Sequence, residues 1–137
     1  MPTYEWAVLR VVPRVERGEF VNVGVVLHCQ ALDYLGCVIS DDLSRAMALA
    51  PDLDVDAVRA HLAAVADVCS GAPAAGGSGR RSPGDRFRWL VAPRSTVVQP
   101  SPVHAGISDD PAAELAALAA RMVAGPTARR SDRRSPG

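Results

Sequence analysis

Two short stretches of this chain hold the side chains best suited to chemistry. Arg14, Arg17, Glu19 and Asn22 lie within Pro13-Arg-Val-Glu-Arg-Gly-Glu-Phe-Val-Asn22, and Arg94, Ser95, Thr96, Gln99 and His104 lie along Pro93–Gly106. Guanidinium forks set among hydroxyl and amide donors suit a phosphate or a carboxylate. An imidazole with an ordinary pKa near ~6.5 suits a general base at neutral pH. If both stretches reach one edge of a sheet, the nine side chains form a composite site. The alternative is structural: Arg14 with Glu16 and Arg17 with Glu19 as a solvated charged turn, Asn22 satisfying a strand-edge backbone group, and His104 packed or solvated in a loop.

Several chemistries are excluded by composition. All fifteen basic residues are arginine, so a phosphate-loop lysine, a kinase strand lysine and a Schiff-base lysine are all absent. Ser95-Thr96 has no nucleophile-elbow context. His28, His61 and His104 lack metal-ligand spacing, and Cys29, Cys37 and Cys69 form no Cys-x-x-Cys pair, so neither a metal nor another cofactor is expected. The cysteines read as reduced thiols, with Cys29 and Cys37 serving as small core hydrophobes. No apolar run approaches the ~20 residues that span a bilayer, and the N-terminus lacks a basic-then-apolar signal pattern. No membrane association is expected, and the expected compartment is the cytoplasm. Residues 125–137 carry four arginines against one aspartate, a net charge of +3, which leaves −3 on the rest of a neutral chain. An acidic body gives no bulk attraction to nucleic acid, so nucleic-acid binding through Arg80, Arg81, Arg86, Arg88 and the tail is the weakest reading.

The elements that must position these residues follow from periodicity. Residues 4–13 and 20–30 read as strands joined by a charged turn in which Gly18 takes positive φ. In the second strand Val21, Val23, Val25, Leu27 and Cys29 alternate as one core-facing row. Phe20, Asn22, Gly24, Val26 and His28 make the mixed face, with His28 beside Arg10. Gly24 marks a bulge or a close approach by another segment, with the Pro-rich loop a candidate for it. A third strand over 34–40 completes a meander. Asp41 or Asp42 caps a short helix ending before Pro51. Asp52, Asp54 and Asp56 cluster at the start of the main helix, with Val55, Val58, Leu62, Val65 and Cys69 as its stripe. Residues 72–84 read as a flexible linker. Arg88–Ala92 reads as a short fourth strand, and Pro93–Gly106 as an extended, proline-stiffened segment. Asp110 and Pro111 start a last helix with Leu115, Leu118 and Met122 on its apolar stripe. The expected fold is α+β: an antiparallel sheet of about four strands with helices packed on one face. Residues 1–124 are expected to form one domain and 125–137 a disordered basic tail.

Val11-Val-Pro-Arg-Val-Glu-Arg-Gly-Glu-Phe-Val-Asn-Val-Gly-Val-Val-Leu27, with Arg88-Trp-Leu90 and Ser101-Pro-Val-His-Ala-Gly106, resembles a bacterial family catalogued as domain of unknown function 3037. The resemblance spans roughly residues 3–124. It implies no established activity. It does imply a pairing, since members are often encoded beside a kinase-like protein resembling HipA. Three functional readings follow. The first is an interaction or accessory protein that meets a protein partner, the kinase-like neighbour among the candidates, through Asn22 and the Pro93–Gly106 segment. The second is a small enzyme or binding module for a phosphorylated or nucleotide-like anion held by Arg14, Arg17 and Arg94, with His104 as acid/base. The third is the nucleic-acid reading.

Overall fold

The computed structural model describes residues 1–72, 75–77, 81–94 and 96–123, and the backbone of 128–134. Strands β1 (Thr3–Val11), β2 (Val21–Cys29) and β3 (Tyr34–Ser40) form the expected antiparallel meander. Helix α1 spans Ser44–Leu49, α2 Val55–Ser70, α3 Pro83–Leu90 and α4 Pro111–Met122. Strands β4 (Val98–Pro100) and β5 (His104–Ile107) both pair with β1, and β6 (Ala128–Arg134) pairs with β3. The order across the sheet is β4-β1-β2-β3-β6, with β5 sharing the β4 edge of β1. All pairings are antiparallel, and the class is α+β.

The helices, expected on one face, cover both. On one side α1, α2 and α3 pack over Leu9, Val11, Val23, Val26, Leu35 and Cys37. On the other, Leu115, Leu118 and Ala119 of α4 pack over Tyr4, Val25, Leu27, Cys29, Tyr34 and Val38. The reason lies in β2. Its register against β1 slips by one between Leu9/Gly24 and Arg10/Asn22, so Val23 is an extra residue. Such a bulge reverses the side-chain alternation beyond it. Val21 and Val23 therefore face α2 and α3, whereas Val25, Leu27 and Cys29 face α4. The odd-numbered row, expected on one face, is divided between two. His28 consequently lies on the side opposite Arg10, under α3, where its ring stacks on Phe87 at 5.4 Å.

Three local expectations are corrected. The short strand over Arg88–Ala92 is instead the second half of α3. Ser82 caps this helix by accepting from the Asp85 N–H at 3.2 Å, and Pro83 occupies the first turn. These are helix-start devices, although the same residues also resemble a flexible turn. In the segment read as a linker, residues 75–77 form one tight turn and 83–84 already belong to α3, while 73–74 and 78–80 lie outside the described residues. The tail expected to be disordered contributes β6 through Ala128–Arg134. The fourth strand of the sheet comes from the Pro-rich segment. Val98–Pro100 and His104–Ile107 form a single edge interrupted at Ser101-Pro102-Val103. Ser101 anchors the interruption: its N–H donates to the Val8 carbonyl at 2.7 Å, and its hydroxyl accepts from the Val8 N–H at 2.8 Å.

The helix ends follow their capping residues. Asp54 accepts from the Ala57 N–H and Gly71 closes α2 in the left-handed conformation, while Asp110 accepts from the Ala113 N–H with Pro111 in the first turn of α4. Each such side-chain cap is worth about 1 kcal/mol.

Candidate functional site

Alternation along β1 puts Tyr4, Trp6, Val8 and Arg10 on the α4 side. Arg10 stands between Asn22 on β2 and Gln99 on β4. Trp6 stands between Leu27 and His104, whose ring centroid lies 4.7 Å from the indole. Asn22 donates through Nδ2 to the Met122 carbonyl at the end of α4, 3.2 Å away. Three of the sequence-predicted site residues, Asn22, Gln99 and His104, therefore share one sheet face beside α4. Arg10 and Phe20 join them. The Arg10 guanidinium lies 4.1 Å over the Phe20 ring, a cation–π contact worth roughly 0.5–1 kcal/mol at an exposed site. Phe20 is still 46% exposed, and Val97, which leads into β4, 41%.

The polar atoms of this row are incompletely used. Arg10 Nε and Asn22 Oδ1 are both enclosed and have no hydrogen-bond partner among the described residues. They belong to residues directly opposite each other on β1 and β2. An enclosed donor or acceptor without a partner costs about 1–3 kcal/mol, so this donor–acceptor couple is the under-used polar part of the row.

The other predicted site residues lie elsewhere. Arg14 pairs with Asp52 at 3.1 Å, and Arg17 pairs with Glu19 within the β1–β2 turn. Both pairs are substantially exposed, where an ion pair contributes little. Arg94 donates to the Trp89 carbonyl at 2.6 Å and lies 4.2 Å over the Trp89 ring. That fixes it to the end of α3, on the opposite side of the sheet from Asn22. Thr96 donates to the Val98 carbonyl at 2.7 Å, and Gln99 donates to the Thr96 carbonyl at 2.9 Å. Ser95 lies outside the described residues. The three arginines thus make separate local contacts, and His104 lies tilted against Trp6 rather than meeting them. Of the arginines raised for nucleic acid, Arg86 is 5% exposed and donates to the Arg81 carbonyl, while Arg88 pairs with Asp85 at 2.8 Å. Arg80 lies outside the described residues.

Arg10 and Phe20 are members of the row that residue type alone does not place among the candidate site residues. The available signal was a charged residue inside an otherwise apolar strand, Ala7-Val-Leu-Arg-Val11. Uninterrupted alternation already sets Arg10 on the mixed face with Phe20 and Asn22; the bulge takes His28, not Arg10, off that face.

His28 forms part of a second feature. With Thr3, Glu5, Gln30, Ala31 and Ala105 it lines a shallow hollow of about 560 Å³. Burial is the largest influence on its pKa and lowers it; the Glu5 carboxylate works in the opposite direction and Arg88 reinforces the lowering. His61 is lowered by burial and then by Arg94. On the α4 side, the Tyr4 hydroxyl donates to Glu114 at 3.3 Å, and its pKa is raised by burial and then by that carboxylate. Among the described residues no group of three or more histidine, cysteine or acidic side chains could hold a metal, and no helix is long and apolar enough to cross a membrane.

The two lowered histidines set the sign of a pH effect. Folded, each binds protons less readily than in the unfolded chain, so their contribution is complete above the ordinary histidine pKa and is lost as pH falls below it. Stability is expected to decline between about pH 7 and pH 5, and His28→Leu should flatten that decline. Urea unfolding across this range is the check. A slope identical in the variant would remove His28 from the explanation.

A family model described as Protein of unknown function (DUF3037) matches residues 6–123. That span runs from β1 through α4 and includes the Arg10, Asn22, Gln99 and His104 row. No curated protein and no solved structure matches the chain.

Proposed function

Since the chain belongs to this family of unknown function, we propose from its site geometry that it is an interaction module. It binds a protein partner through the sheet face around Arg10, Asn22, Gln99 and His104. The observation that carries the reading is the enclosed, unpartnered Arg10 Nε beside the unpartnered Asn22 Oδ1. Both atoms are enclosed, so a partner's peptide group reaches them only when these side chains shift, its carbonyl then accepting from Arg10 and its N–H donating to Asn22. Phe20 exposes apolar surface beside the Arg10 guanidinium, Val97 and Val103 expose more along the segment that forms β4 and β5, and Trp6 and His104 supply aromatic surface. Arginine and aromatic side chains concentrate at the centres of protein interfaces, whose rims are polar.

The partner to test first is the kinase-like protein resembling HipA that the family resemblance implies, with the encounter set in the cytoplasm. An anion-binding role for Arg14, Arg17 and Arg94 gains no support from their separate placement. The decisive experiment is co-purification of the tagged chain with its genomic neighbour expressed in the native host. The complex should survive purification, and Arg10→Ala or Phe20→Ala should weaken it at least tenfold, or about 1.4 kcal/mol, without lowering the melting temperature appreciably. A chain that elutes alone while the neighbour is present rules that partner out. Unchanged binding in both variants would dissociate this face from any partner found.

A further inference from the structure

Strand β6 is poorly matched to its position. Ala128-Arg-Arg-Ser-Asp-Arg-Arg134 contains no β-branched or aromatic residue, although such residues are the ones that suit a pleated, half-buried surface. Its neighbour β3 is the reverse: Tyr34-Leu-Gly-Cys-Val-Ile-Ser40 is buried throughout, between the helices on the two faces. The pairing extends from Tyr34/Arg134 to Ser40/Ala128, so β6 caps the whole outer edge of the most enclosed strand. The family match ends at residue 123, before β6 begins. The matched part of the fold therefore has β3 as an edge strand, and a segment beyond that part covers it.

We propose that the outer edge of β3 is a docking edge for a basic extended segment of a partner protein, with β6 occupying it in the free chain as a displaceable stand-in. Strand addition draws its affinity from main-chain hydrogen bonds, which any extended segment supplies. The choice of a basic segment follows from charge. Residues 128–134 carry four arginines and one aspartate, whereas residues 1–124 carry a net −3, so the resident strand is complementary to the body it covers. A partner strand of the same sign, with better strand-forming residues, competes on the same terms. This edge lies at the opposite end of the strand order from β4 and β5, so it is separate from the face around Arg10.

The test uses a fluorescently labelled synthetic peptide of this chain's own sequence, Thr127-Ala-Arg-Arg-Ser-Asp-Arg-Arg-Ser135, titrated against the full chain and against Arg130→Pro and Ser131→Pro. Neighbouring residues in a strand direct their N–H groups to opposite sides, so one of the two prolines must remove a hydrogen bond to β3. That variant should bind the peptide at least about tenfold more tightly than the unaltered chain, because its edge is no longer occupied. A peptide with its four arginines replaced by glutamate should not bind, and Arg10→Ala should leave the binding unchanged. No gain in either proline variant, or equal binding of the glutamate peptide, overturns the proposal. Dimerisation of the proline variants in place of peptide capture assigns the edge to a second copy and also overturns it. Should both prolines unfold the chain, hydrogen exchange on the unaltered protein decides. The β6 amides should exchange on the order of a hundredfold faster than those of β2, and equal protection would make β6 a permanent part of the sheet.

Discussion

Phe87→Ala is expected to destabilise the chain by about 3–5 kcal/mol and to lower its melting temperature by roughly 10–20 °C. Phe87 is the principal anchor of α3. It is 2% exposed, lies in the core with Leu90, Leu35 and Val26, and stacks its ring on His28. An eight-residue helix is too short to persist by its own propensity, so α3 depends on this contact and on its Ser82 cap. Truncation leaves a cavity between α3 and the sheet that the rigid strands below cannot fill. A second readout distinguishes this from a general loss of packing. Without Phe87, water reaches the His28 imidazole, removing the main cause of its lowered pKa. The variant should therefore lose less stability on acidification from about pH 7 to pH 5 than the unaltered chain does. Urea unfolding at both pH values measures the two effects together. A loss below about 1 kcal/mol would mean that α3 is not anchored through Phe87.

The same helix shows where sequence reasoning stopped. Trp89-Leu-Val91 is a short apolar run of good strand formers, and periodicity alone does not separate such a run from a buried helical turn. Ser82-Pro83-Gly84-Asp85 held the deciding information, because a serine followed three residues later by an acid is a helix start. The glycine and proline within it gave the competing linker reading. Elsewhere the signals were less divided. The meander, the acidic start of α2, the Asp110 cap, and the stripes of α2 and α4 were legible because periodicity and capping agreed. The tail was not legible as a strand, since nothing in its composition favours one.

The candidate site was half legible for a related reason. Its location on the second strand and the Pro-rich segment followed from residue types, and Asn22, Gln99 and His104 do share a face. Arg14, Arg17 and Arg94 enter on residue type alone, because arginines suit anions. Residue type does not reveal that each already has a local partner in Asp52, Glu19 or the Trp89 carbonyl. The position of His28 depended on the bulge. A one-residue offset moves a side chain to the other side of a sheet, and no alternation pattern predicts its own interruption.

Gly24 gives that bulge a direct test. A Cβ at this position would stand 2.9 Å from the Val38 carbonyl oxygen and 3.3 Å from Leu9 Cδ1. The close approach is thus made by β3, not by the Pro-rich segment. The nearer atom is backbone, so relief requires β2 and β3 to move apart or β2 to change register. Gly24→Ala is expected to cost about 1–3 kcal/mol, and Gly24→Val more, as an overpacked core position. The functional consequence should exceed the thermodynamic one. Slipping by one residue to escape the contact would turn Asn22 away from Arg10 and break its bond to the Met122 carbonyl. Partner capture should therefore fall in Gly24→Ala even at temperatures where the variant remains folded. Leu62→Ala, an α2 core change about as destabilising or more so, should leave capture intact. Denaturant unfolding and co-purification of both variants make the comparison. Equal loss of binding would reduce the effect to stability alone. Full binding in Gly24→Ala would show that the sheet absorbs the methyl without disturbing the Arg10–Asn22 pair.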